Sequence, residues 1–115
     1  MAVISSHTLN GVDGTHAGGI RVQVHERISG KLLFDSKTDD GGRLLQEVDI
    51  SASGSDATYE MVFETGPYWQ ARDVPRKTPQ IMTDVVVRFQ MPDPDARYHI
   101  PVILSPNSYS VWWSS

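Results

Sequence analysis

The sequence contains no cysteine, which excludes disulfides and thiolate chemistry and leaves the redox compartment unfixed. It has no basic run either. Its 10 Lys and Arg residues are scattered among 14 Asp and Glu, and a formal net charge of -4 offers no footprint for a phosphate backbone. Nucleic acid is therefore not an expected partner. No segment approaches the ~18 apolar residues of a membrane span, and the opening MAVISSHTLN lacks the charged and long apolar regions of a leader. The expectation is a cytoplasmic protein with no membrane partner. Two motifs of common enzymes are missing as well. There is no Gly-x-Ser-x-Gly elbow, and the glycine pairs of GGIRVQ and DDGGRL lead into strands rather than helix N-termini that could cradle phosphate. Any reaction must use water activated by side chains, without a cofactor.

What is present is alternation. At 115 residues the chain has the length of one domain, 1–115, able to bury roughly two-thirds of its unfolded surface. Apolar and polar residues alternate with period two in IRVQVHER, ATYEMVFE and TDVVVRFQM, and further strands are expected in VISSHTL, KLLFDSK, RLLQEVDI, RYHIPVIL and SYSVWW. Turn residues separate these runs, in NGVDGTHAGG, ISGK, DDGG, SASGSDA, PDPDA and SPNS. The fold class is all-β, a sandwich or barrel. The stretch GPYWQARDVPRKTPQIM holds three prolines and is expected to be a long loop.

Four histidines are the first candidates for chemistry, because imidazole alone trades protons near neutral pH when unperturbed. His25 alternates outward in its strand and is expected to be solvated. His16 lies in a glycine-rich loop and is expected to be a turn residue. His7 and His99 sit in strands among apolar neighbours, where an unpartnered ring would cost a few kcal/mol, roughly, so each needs a partner or a purpose. No His-x-His spacing recommends a metal site. Arg43 follows TDDGG at the start of a strand whose same face carries Glu47 and Asp49. It is suited either to a surface ion pair or to holding a carbonyl-rich or anionic substrate.

Four segments together carry a resemblance along nearly the whole chain. SSHTLNGVDGTHAGGIRVQV, TDDGGR, TYEMVFETGPYW and RYHIPVILSPNSYS resemble the 5-hydroxyisourate hydrolases, the transthyretin-like proteins of urate breakdown. The resemblance implies a two-sheet β-sandwich of about eight strands and a homotetramer, a dimer of dimers, acting on a small heterocyclic substrate. It places His7, Arg43 and His99 at the positions of the family's catalytic residues. The family's short helix is expected to be reduced or absent, since ISASGSDA is brief and contains glycine. At the C-terminus the family's Tyr-Arg-Gly-Ser reads Trp112, Trp113, Ser114 and Ser115. Trp112, Trp113 and Ser115 are accordingly expected to contact substrate, with the tryptophans walling the cleft of His99. Asn10, His16 and Gly41 stand where the family pattern has Asp, Pro and Asp.

Overall fold

The computed structural model describes residues 1–114, so Ser115 lies outside the described residues. Among the described residues, nine strands and one short helix follow in the order β1 (Ala2–Asn10), β2 (Arg21–Glu26), β3 (Leu32–Lys37), β4 (Arg43–Val48), β5 (Thr58–Glu64), α1 (Gly66–Gln70), β6 (Val85–Gln90), β7 (Arg97–His99), β8 (Val102–Ser105) and β9 (Ser108–Val111). They form two sheets. One runs β3-β2-β5-β6; the other runs β4-β1-β8-β9, with β7 also paired to β1.

The alternation in the sequence becomes the core. In β1 each even-numbered residue from Ala2 to Asn10 is buried and each odd one half-exposed, and β5 buries Tyr59, Met61 and Phe63 on one side. Those residues pack with Val22, Val24, Val85, Val102 and Leu104 between the sheets. Burial of this apolar surface, at ~25 cal/mol per Å², is the main term holding the sheets face to face.

Two local features depart from the alternation pattern. RYHIPVIL is two strands, because Pro101 has no N–H for the ladder and the chain breaks at Ile100 and Pro101. Both pieces still run parallel to β1: β7 pairs with Val3 to Ser5 and β8 with Thr8 to Asn10. The helix is short, but it does not lie near ISASGSDA, which is turn and bend. It opens the stretch expected to be loop, with Pro67 in its first turn, where a missing N–H costs nothing. Its Tyr68 and Trp69 are buried.

The outer face of β4-β1-β7 carries the candidate residues. β1 pairs antiparallel with β4 so that His7 stands opposite Arg43 and Ser5 opposite Leu45. The parallel pairing with β7 sets Ser5 beside His99.

Candidate functional site

Ser5, Arg43 and His99 share one cleft of about 400 Å³, lined also by Ser6, Asp39, Leu44 and Leu45. The backbone around it is tightly held. Ser6 Oγ donates to the Ile100 carbonyl at 2.6 Å, and the Ile100 N–H donates to the Ser5 carbonyl at 2.9 Å, fixing β7 against β1. Arg43 is positioned by a turn in which the Asp39 carboxylate accepts the Gly41 and Arg43 N–H groups, both at 2.9 Å. Asp39 is thus engaged with backbone. Arg43 is exposed and makes no salt bridge among the described residues, so the ion pair open to it with Glu47 or Asp49 is not formed. Its guanidinium stands at the cleft with no carboxylate partner among the described residues.

The two strand histidines have partners of different kinds. His99 Nδ1 lies 2.8 Å from Ser5 Oγ, a half-buried hydrogen bond that orients the ring and leaves Nε2 as its other polar edge. His7 Nε2 lies 2.9 Å from His16 Nδ1. Burial, the Arg43 guanidinium and His16, in that order, hold His7 below the usual imidazole range, with His99 adding to the repulsion. His7 is therefore neutral at pH 7 and able to accept a proton.

Two loop and surface readings are corrected here. His16 is not merely a turn residue: it forms a β-bridge opposite Leu9 and joins His7. His25 is not merely solvated, because its Nε2 meets Glu60 at 3.2 Å in a cross-strand pair that Arg88 completes. The departure at Asn10 also has a physical reason. Its Nδ2 donates to the Tyr68 hydroxyl at 3.0 Å while Oδ1 accepts the Val12 and Asp13 N–H groups, a division of labour that a carboxylate lacks.

The tryptophans are not placed on the cleft of Arg43 and His99. Trp112 and Trp113 line a separate cavity of about 500 Å³ with Phe89, Tyr98, Ile100 and Val111, which shares no residue with the cleft. For Trp113 the cause is register: Ser114 is the residue paired with His99, through His99 N–H to Ser114 carbonyl at 3.2 Å and the reverse bond at 3.0 Å. One position back, Trp113 falls to the other side of the strand with Tyr98 and Ile100. The expectation for Ser115 lies outside the described residues. Among those residues no group of three or more His, Cys, Asp or Glu is placed to hold a metal ion, and no helix is long and apolar enough to cross a membrane.

Comparison with known proteins adds what geometry alone cannot. A model described as the HIUase/Transthyretin family matches residues 4–113. A protein of Pseudomonas aeruginosa named 5-hydroxyisourate hydrolase is 31% identical over 118 residues, covering 100% of this chain and 93% of its own. Among solved structures, an (S)-allantoin synthase superposes with a TM-score of 0.80 at 24% identity, over 99% of this chain but only 44% of that one. A transthyretin from Sparus aurata gives 0.76 at 22% identity, covering 96% and 95%. The last two share a fold across differently named proteins, so the fold leaves the activity to be argued from the site.

Proposed function

The chain belongs to the HIUase/Transthyretin family, and from that premise we propose that it is a cofactor-free hydrolase that opens the six-membered ring of 5-hydroxyisourate or a closely related flat heterocycle. The observation that carries this reading is the meeting of Arg43 and a serine-anchored His99 in one cleft, with His7 opposite Arg43 on the adjoining strand. A carrier has little need of that set. Two imidazoles and a guanidinium can activate water and receive the charge that develops when water attacks a carbonyl.

In the reaction we propose, a neutral imidazole takes a proton from water as the oxygen adds to a ring carbonyl. His7 fits this role because burial and the Arg43 guanidinium keep its ring in the neutral form that can accept a proton. Arg43 and the other histidine stabilise the oxyanion; the C–N bond then breaks, and the departing nitrogen receives a proton from the imidazolium. We leave Trp112 and Trp113 out of the reacting centre, consistent with their separate cavity. A cytoplasmic homotetramer, a dimer of dimers, is part of the same proposal. Leu45 is 60% and Ile103 37% exposed on the sheet that carries the cleft, apolar surface that a second copy would cover.

Freshly prepared 5-hydroxyisourate followed by stopped-flow ultraviolet absorbance tests the activity. Its decay is expected to accelerate in proportion to protein concentration; an unchanged decay would remove the hydrolase reading. Light scattering at micromolar concentration is expected to give the mass of four chains, and a stable monomer would remove the tetramer.

The pH dependence follows from His7. Its affinity for protons is lowered in the fold relative to the unfolded chain, whose imidazole titrates near 6.5. The neutral base is fully available above that value and is lost as pH falls through the lower, folded value. The acid limb of kcat/KM that His7 contributes is therefore expected below pH 6.5. A midpoint above it would remove His7 as the base.

A further inference from the structure

We propose that His16 is the proton partner of His7, the two imidazoles forming a dyad that holds one proton between His7 Nε2 and His16 Nδ1 and takes up the next as a unit. The nitrogens stand 2.9 Å apart, and the ring centroids lie 5.0 Å apart with the planes tilted by 32°. At that distance the two facing nitrogens of a neutral pair share a single hydrogen, donated by one and accepted by the other.

The fold builds the pair deliberately from the turn after β1. Asn10 Oδ1 and Asp13 Oδ1 satisfy the turn's N–H groups, and the chain returns so that Asn10 N–H meets the Thr15 carbonyl at 2.8 Å and Ala17 N–H the Thr8 carbonyl at 2.9 Å. This is the non-hydrogen-bonded kind of antiparallel pairing for Leu9 and His16, which brings their side chains close on the outer face. His7 is two residues back on that face and so becomes the diagonal neighbour of His16.

The groups around the pair define how it titrates. Arg43 comes from β4, His99 from β7 and Asp39 from the turn before β4, where its carboxylate is engaged by the Gly41 and Arg43 N–H groups. Asp13, on the loop of His16, is engaged by Thr15. The Gly41 carbonyl offers the His7 ring a second acceptor. Once it takes one ring proton, His7 Nε2 is bare, His16 Nδ1 donates, and His16 Nε2 is the exposed lone pair. A proton arriving at His16 Nε2 lets the shared hydrogen move from His16 Nδ1 to His7 Nε2, so the charge appears on His7. A second added proton is opposed by the first and by Arg43.

Nitrogen-detected imidazole NMR across about pH 4.5 to 8.5 on the full chain tests this. His7 and His16 are expected to titrate in two steps with shared midpoints, the behaviour of an interacting pair. In His16→Ala the His7 curve is expected to collapse to one step. His16→Asn, which can still donate a hydrogen bond but carries no titrating proton, is expected to give one step as well while keeping the His7 ring shifts close to wild type. Independent single-step curves in the wild type, or a His7 curve that neither substitution changes, would overturn the dyad. A kinetic arm rests on the ring-opening reading: the acid limb of kcat/KM is expected to move by roughly half a pH unit or more in both variants, a coupling of the size that interacting sites show. Should the wild type lack hydrolase activity, that reading fails while the NMR titration still decides the dyad.

Discussion

Replacing His99 with alanine is expected to lower kcat for ring opening by about 10²- to 10⁴-fold, the usual contribution of a positioned acid–base group. The fold should survive the change. His99 is half-buried on an outer face, its side chain bonds only Ser5 Oγ among the described residues, and its strand is held by backbone pairing to Ser5 and Ser114. Ser5 Oγ, left at the cleft, can turn to water. His7→Ala should behave alike in turnover, since it removes the imidazole opposite Arg43. Steady-state kinetics with circular dichroism checks both variants. Near-full turnover in either, with wild-type dichroism, would take that histidine out of the reaction.

A second large effect is expected at Gly42, which does not touch the cleft. Gly42 has φ of 74°, in the left-handed region, and an added Cβ would collide with the Thr8 carbonyl oxygen. Its own carbonyl accepts the Thr8 N–H at 2.7 Å, joining the turn before Arg43 to β1 one residue from His7. Gly42→Ala therefore strains the backbone by ~1 to 3 kcal/mol and must also push β4 from β1. The expected loss of stability is more than about 2 kcal/mol, or roughly 10 °C in Tm. Gly14 and Gly19, with φ of 78° and 76°, have nothing within 4 Å of an added Cβ and serve as controls for the backbone cost alone. Calorimetry showing Gly42→Ala no worse than Gly14→Ala would contradict the close approach of turn and strand.

The strands were legible because each buries one face, and period two survives in the residues of β1, β2 and β5 even where the ends shift by a position. Pro101 was legible too, as a missing donor, yet an apolar run on both sides of it reads as one strand until the ladder is counted. The helix at Gly66–Gln70 was hidden by prolines that elsewhere signal loop; its signal was the position of Pro67 just inside the helix start. At the site, His7 and His99 stand out as imidazoles among apolar strand neighbours and Arg43 as a strand-opening guanidinium, the resemblance adds their family positions, and strand pairing sets them on one face. His16 was missed because a bridge across a turn is invisible to alternation within a run. The signal available was NGVDG itself, a turn that folds His16 back onto Leu9. Trp112 and Trp113 hold the positions of the family's C-terminal Tyr-Arg, which is why the sequence points to them as cleft wall; the register that pairs Ser114 with His99 sets Trp113 beside Tyr98 and Ile100.

The claim that reaction takes place on the outer face of β4-β1-β7 is tested most directly by a crystal structure of the full chain soaked with a planar, non-hydrolysable purine dione. The account predicts the ring in the cleft of Ser5, Arg43 and His99, with the guanidinium at a carbonyl oxygen. A ring found instead among Phe89, Tyr98 and Trp113, with the Arg43 cleft empty, would contradict it.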